Sequence, residues 1–357
     1  MSKEYTPTPD LLENQRLFQM NIRNPYGITS RFTGKIVVDT HGPLKDPRQE
    51  PSYQFLPWVG EQYITTRPQH YTDSIKVLPK AIERVMKEAP HLFDDTGGIF
   101  HLGDLSGDRA DTTDQERSLR WMLDIFASPA FQGYRPFILP GDHDEDKKHR
   151  FENVGWFYKN LGKGYFYQEV GEDVLLVGLN TNSLDVGWRN GIRVKVSQEI
   201  THLEKLMEKH NSLDYITSQI KDAIYKRHNY YQNLLQNIHE QERLIEECKK
   251  MVKKKIVIMG HKPKEVLRVA KEFKAEEIYT FAGHIHTSLK WLYDRGFKQK
   301  GINLHTTLDA PTVGAFGVER LGNMQFAVLH ISEAGNIEIE IFSIEEELTQ
   351  LRVTPFY

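Results

Sequence analysis

The sequence predicts an α/β domain, and three observations predict it. Five short runs rich in branched and aromatic residues read as buried strands: 35–38, 98–102, 136–140, 255–259 and 278–281. Segments with apolar residues at helical spacing separate them. Four of the runs stop at glycine or aspartate and the fifth one residue before Gly283, at the carboxyl end where α/β sheets place their sites.

Taken in order, Leu11 to Met20 has the pattern of a short amphipathic helix capped by Asp10. The first strand is followed by a long proline-rich connection, Gly42 to Thr72, carrying Tyr53, Phe55, Trp58 and Tyr63. A loop of that length either overhangs a site or is pinned to the surface by its aromatics. Thr72 then begins a helix with Ile75, Leu78, Ile82 and Val85 on one face, ending near Pro90. Asp114 to Phe126 supplies the next crossover, and Phe151 to Leu161 a short aromatic helix. Tyr165 to Glu169 and Val174 to Leu179 form a hairpin around Gly171-Glu172-Asp173.

The segment from Val196 to Val252 differs in character. It has no internal glycine or proline, and its break is expected at Asn211-Ser212, followed by a helix of about 40 residues, or ~60 Å. Leu213, Ile216, Ile220, Ala223, Tyr230, Leu234, Leu244, Cys248 and Met251 keep near-heptad spacing, interrupted by Arg227, Asn237 and Gln241. Two readings stand: a helical pair packed on its own domain, or an arm for a second copy or a protein partner. The lysines from 249 to 255 read as a solvated helix terminus before they read as a nucleic-acid patch. Lys264 to Phe273 is a further helix, and Leu304 to Thr307, Met324 to Ile331 and Ile337 to Ile344 are closing strands. Gly335-Asn336 marks the last hairpin.

Composition bounds the chemistry. The chain has 357 residues, 39% of them hydrophobic and 11% aromatic, enough for a substantial core. A formal net charge of -3 argues against a surface coated to neutralise phosphates, while leaving a local groove for nucleic acid open. Cys248 is the single cysteine, so neither an internal disulfide nor a cysteine-based zinc site is possible. Met1 to Asp10 lacks the pattern of a signal peptide, and no apolar run approaches the ~20 residues of a membrane helix. The expectation is a soluble cytoplasmic protein with no membrane contact.

The side chains that follow the strands form an ordered set: Asp39-Thr40-His41, Gly103-Asp104, Gly141-Asp142-His143, Gly260-His261 and Gly283-His284-Ile285-His286. Spacing of two in extended chain turns His284 and His286 to one side. Mixed carboxylate and imidazole donors suit divalent Mn, Fe, Zn or Co, where an all-oxygen cage would suit Mg or Ca.

This set resembles the calcineurin-like metallophosphoesterase superfamily, over roughly Lys35 to Ser343 with gaps. The resemblance implies a four-layer α/β/β/α sandwich over residues 33–345, interrupted by a helical insertion at 197–253, with an N-terminal extension, 1–32, and a tail, 346–357. It implies a pair of divalent transition-metal ions. Asp39, His41 and His286 would hold one, Asp142, His261 and His284 the other, and Asp104 would bridge them. It further implies hydrolysis of a phosphate monoester or diester by in-line attack of a bridging hydroxide, with His143 assisting the leaving group. The alternative is a catalytically weakened scaffold of the same fold acting through its helical insertion.

The chain departs from the family in three places. Asp142 stands where relatives carry a neutral asparagine, which lowers the net positive charge of a metal pair. Phosphoserine and phosphothreonine phosphatases have Gly-Asp-x-x-Asp-Arg-Gly, whereas here Asp108 and Arg109 lie one residue further on, without the final glycine. Gly107 occupies the place of the ligating tyrosine of purple acid phosphatases, which disfavours a tyrosinate-bound ferric site. His101, within a strand, is read as structural; His305, also placed in a strand, leaves open a supporting role beside the metal ligands.

Overall fold

The computed structural model describes residues 22–37, 53–54, 64–65, 68–94, 97–105, 112–145, 151–184, 186–211, 218–283, 325–344 and 346–347. Two α/β sheets of mixed direction carry the site. The first contains β1 (Phe32–Val37), β4 (Gly97–His101), β5 (Arg135–Ile138), β10 (Gln325–Ile331) and β11 (Ile337–Ser343), in the order β11-β10-β1-β4-β5. β1, β4 and β5 run parallel, and β10 and β11 close the sheet antiparallel. The second sheet orders β6 (Phe166–Val170), β7 (Val174–Leu179), β8 (Lys255–Gly260) and β9 (Glu277–Phe281). Its last three strands are parallel, and β6 and β7 form the expected hairpin. A separate two-residue pair, β2 (Tyr53–Gln54) and β3 (Ile64–Thr65), lies within the long connection after β1.

Period-2 alternation sorts the strand residues into three apolar clusters. Val174, Leu176, Val257 and Met259 meet Phe32, Ile36, Phe100 and Phe137 of the other sheet in one cluster. Leu175, Val177, Ile256 and Ile258, on the opposite face, pack against Leu244, Ile245 and Cys248 and against Val266 and Val269. Val37, Ile99 and Ile138 join Leu78, Ile82, Val85, Leu119, Met122 and Phe157 in the third. The helices concerned are α1 (Pro68–Glu88), α2 (Thr112–Phe126), α3 (Asp142–Glu145), α4 (Phe151–Leu161), α5 (Thr181–Leu184), α6 (Val186–Asn211), α7 (Ser218–Lys250) and α8 (Pro263–Ala270).

Several boundaries differ from the sequence reading. α1 begins at Pro68, four residues before Thr72, because proline at a first helical position already has helical φ and lacks only an N–H that would be unpaired there. α6 begins at Val186, well before Val196, and runs across Gly187 and Gly191. A glycine costs only ~1 kcal/mol in a helix interior, too little to stop one. α7 has 33 residues, about 50 Å at 1.5 Å per residue, and starts beyond the break expected at Asn211. The helix expected at Leu11 to Met20, the strand at Leu304 to Thr307 and His305 lie outside the described residues.

Of the two readings of 197–253, packing on its own domain holds for the final third, and the arm reading needs correcting there. Ile238, Leu244, Ile245 and Cys248 are buried, and the last three pack on the second sheet of their own chain. The near-heptad spacing there reflects contact with that sheet. α6 and α7 pack side by side, with His228 Nε2 3.5 Å from a Glu204 carboxylate. Burial pushes the Cys248 thiol up to about 12, so it is a core residue and no nucleophile. Four of the five terminal lysines are engaged in ion pairs: Lys249 with Glu246 and Glu272, Lys253 with Glu169, Lys254 with Asp173 and Lys255 with Glu277. Upstream of β1, residues 22–30 run beside β6, with backbone hydrogen bonds from Asn24 to Tyr167 and from Gly171 to Thr29, both 2.8 Å. No helix among the described residues is long and apolar enough to cross a membrane.

Lys35 is a charge buried inside this frame. It points from β1 into the helix-facing layer, donates to the Ala130 carbonyl, and lies 3.7 Å from the centre of the Tyr134 ring. Burial lowers its pKa to about 7. The unfolded chain holds that proton up to the ordinary lysine value, so between about pH 7 and 10.5 unfolding takes up a proton. This lysine's destabilising contribution is therefore complete below pH 7 and fades as the pH rises. Thermal melts of Lys35→Met against the natural protein should show the largest gain for methionine near pH 7, shrinking steadily towards pH 10. A gain independent of pH would contradict the account.

Candidate metal centre

Strand register assembles the site. Val37, His101 and Ile138 pair in line across β1, β4 and β5, so the residues just past β4 and β5 emerge at one edge. In the second sheet Leu179 pairs with Gly260 and Met259 with Phe281, which brings out Asn180, His261 and Ala282 at one edge too. Leu102-Gly103-Asp104, Gly141-Asp142-His143 and His261 meet where those edges face one another.

The meeting is tight enough to demand glycine. Gly103 has φ +100°, and a Cβ there would lie 2.6 Å from the Gly141 nitrogen and 2.7 Å from His261 Nδ1. A Cβ on Gly141 would lie 2.1 Å from Asp104 Oδ1 and 2.2 Å from the Asp104 nitrogen. Asp104 itself has φ 54°, in the left-handed region that a non-glycine residue enters at a cost. That turn swings its carboxylate towards His143 and His261 instead of continuing along β4.

The donors converge closely. One carboxylate oxygen each from Asp104 and Asp142 and one ring nitrogen of His143 lie within 4.8 Å of one another. His261 Nε2 lies 3.2 Å from Asp104 Oδ2 and 3.1 Å from Asp142 Oδ1, and His143 Nε2 is 3.6 Å from Asp104 Oδ2. The backbone N–H of His143 also donates to Asp104 Oδ1 at 3.1 Å. Asp104, Asp142 and His261 are all buried. Burial by itself would raise the Asp104 pKa, but His143 and His261, in their protonated forms, outweigh it and hold the carboxyl well below its ordinary range.

These donors are of the kind that can hold a metal ion, and the tautomer of His261 suits one. Its Nδ1 lies 3.0 Å from the Leu102 carbonyl oxygen, which has no proton to give, so Nδ1 carries the hydrogen. Nε2 then turns towards two carboxylate oxygens. A lone pair facing two anions inside a protein needs a cation among them, either a proton or a metal ion. Imidazoles bound to metals are commonly held in this way, by the other ring N–H on a carbonyl. The other grouping of this kind among the described residues, His91 with Glu338 and Glu340, is exposed, where such gatherings are common without an ion.

Four of the eight site residues read from the sequence are thus together: Asp104, Asp142, His143 and His261. Asp39, His41, His284 and His286 lie outside the described residues, as do Asp108 and Arg109. His101 accepts a 3.3 Å hydrogen bond from the Gly103 N–H, a structural role at the foot of the site. Two supporting residues escaped the sequence reading. Asp144 Oδ2 accepts from the backbone N–H of Gly141 (2.9 Å) and of Leu105 (3.2 Å), tying two of the converging loops together. Gln115 of α2 donates to the Asp144 carbonyl at 2.6 Å. Asp144 stood in plain view beside His143, but only its burial gives it a role. Nothing in a helix pattern marks Gln115.

No protein-family model matches the chain, and neither does any curated protein. Solved structures with some likeness include the NAD nucleotidase of Haemophilus influenzae, at 12% identity and TM-score 0.32. That match covers 87% of this chain, which spans 55% of the length of the nucleotidase. Another is a protein serine/threonine phosphatase from Saccharomyces cerevisiae, again at 12% identity and TM-score 0.32, covering 95% of this chain and 90% of that one. Likeness at this level assigns neither family nor activity.

Gly141 gives the geometry a direct check. In Gly141→Ala the new methyl meets Asp104 at its backbone nitrogen as well as its carboxylate, so the loops must separate. Mn²⁺ titrated into the metal-free variant should bind at least tenfold more weakly than to the natural protein, about the effect of disturbing the groups that orient metal ligands. Unchanged Mn²⁺ affinity would show that the loops do not meet so closely.

Proposed function

We propose that the chain is a metal-dependent phosphoesterase, hydrolysing a phosphate monoester or diester. The observation that carries this reading is the convergence of Asp104, Asp142, His143 and His261 from three different strand ends, with His261 held in the tautomer that presents Nε2 to both carboxylates. The motif order supports completing the set with Asp39, His41 and His286 around one cation and His284 beside Asp142 and His261 around the other, Asp104 reaching both. It also supports a four-layer sandwich with the 197–253 segment inserted, a reading that the three apolar clusters favour.

Two divalent cations in such a site would activate a water for in-line attack at phosphorus and neutralise charge on the entering and leaving oxygens. The residues of the chain do the remaining work. Asp104 anchors the imidazole of His143 from one side, and the His143 N–H on Asp104 Oδ1 keeps the two on adjoining turns. His143 is then placed to hold a proton at the rim of the site and deliver it to the departing alkoxide. Asp104 and Asp142, both buried, would hold the cations without freely moving side chains, so little rearrangement would be needed as charge develops.

Two variants test this with Mn²⁺-loaded protein. Asp104→Ala should abolish hydrolysis of an aryl phosphate and lower metal content, and near-natural turnover would sink the metal-pair reading. His143→Ala should keep its metal yet slow turnover by roughly 10²–10⁴-fold on poor leaving groups, the usual range for a lost general acid. The deficit should shrink for nitrophenyl esters, whose leaving group needs little protonation. Equal losses on good and poor leaving groups would refute the acid role.

A further inference from the structure

Past the end of β7 the chain makes a closed turn, Asn180 to Leu184, whose residues are all buried. Asn180 Oδ1 accepts from the backbone N–H of Asn182 (3.1 Å) and of Ser183 (3.2 Å), and Ser183 Oγ donates back to the Asn180 carbonyl at 2.9 Å. Gln241 of α7, fully buried, binds this turn as an adjoining strand would. Its Oε1 accepts from the Asn180 N–H at 2.7 Å, and its Nε2 donates to the Asn180 carbonyl at 3.1 Å and to Ser183 Oγ at 2.7 Å.

Two arms leave the turn for the site. Asn182 Nδ2 donates to the Gly141 carbonyl at 2.8 Å, and Thr181 Oγ1 accepts from the Lys262 N–H at 2.9 Å. Gly141 precedes Asp142, and Lys262 follows His261. One turn therefore holds the backbone beside both donors that the proposed function gives to the same cation. A leucine at 241 would have continued the apolar stripe of Ile238, Leu244 and Ile245, and a buried carboxamide is costly unless its bonds are met. Here three are met, all on the turn that reaches the site.

We infer that Gln241 and Asn182 are positioning residues, through which α7 sets the placement of Asp142 and His261. The helix thereby governs affinity at the Asp142 cation more than at the other, which the turn reaches only through Asp104. This rests on the metal pair of the proposed function.

The test is calorimetric titration of Mn²⁺ into metal-free natural protein, Gln241→Leu and Asn182→Ala, with melting temperatures of the metal-free forms. The natural protein should take up two Mn²⁺ per chain. Both variants should bind one of them about 10–100-fold more weakly, the range found for residues that orient metal ligands, while the other weakens clearly less. Asn182→Ala leaves every bond of Gln241 to the turn in place, so it should melt closer to the natural protein while weakening Mn²⁺ to a similar degree. If Gln241→Leu does not fold, Asn182→Ala decides alone. Both Mn²⁺ ions weakened equally, or neither weakened, overturns the inference while the metal pair stands. Natural protein that binds no Mn²⁺ overturns the proposed function, and the inference falls with it.

Discussion

The site depends on an aromatic contact between the two sheets. Phe166 of β6 lies against Phe100 with ring centres 5.4 Å apart and nearly parallel, and against Phe137 at 4.3 Å. Gly178, its partner on β7, leaves room for that ring, since a Cβ there would lie 2.2 Å from it. Each such pair contributes about 0.5–1.5 kcal/mol beyond the area it buries. More important than the energy is the placement. Asp104 and Asp142 leave one sheet and His261 the other, so distances of 3.1–3.2 Å between them hold only while the sheets keep their relative position.

That placement concentrates cost in one region. Asp104, Asp142 and Asp144 are buried carboxylates close together, and Asp104 sits in a left-handed backbone conformation besides. An isolated buried charge is expensive, and a close pair of like charges more so. Asp144 is compensated by two backbone N–H groups, whereas Asp104 and Asp142 face imidazoles. A protein gains nothing in stability from such an arrangement over an apolar packing of the same volume. Such a costly gathering of carboxylates points to function in the same way as the strained turn beside it.

The long helix shows how one pattern serves two ends. Its apolar positions near 244–248 pack on the second sheet, and the residue that interrupts their rhythm, Gln241, is the one that engages the turn beside the site. Lys35 has a similar duality in the other layer, an ammonium enclosed by Phe93, Phe131 and Tyr134 where the alternation of β1 calls for an apolar side chain. Neither is a packing error. Each finds its partners on elements far away in sequence, as with Lys35 and the Ala130 carbonyl.

The sequence by itself determined the α/β class, the strands after which donors emerge, the hairpin at Gly171 and the identity of Asp104, Asp142, His143 and His261 as the residues to watch. These were legible because strand alternation and glycine-bounded turns are local, recorded within a few residues of chain. The start of α1 and of α6 was less legible, because proline and glycine weigh against helix locally while the helix as a whole absorbs the penalty. What only the tertiary structure decided was partnership. It placed Leu244 in the core, joined Asp144 to Gly141 and Leu105, brought Gln115 beneath them, and set Gln241 on Asn180. A hydrogen bond or a van der Waals contact depends on separation in space, and residues 61 apart in the chain, such as Asn180 and Gln241, become neighbours only once the sheets and helices have packed.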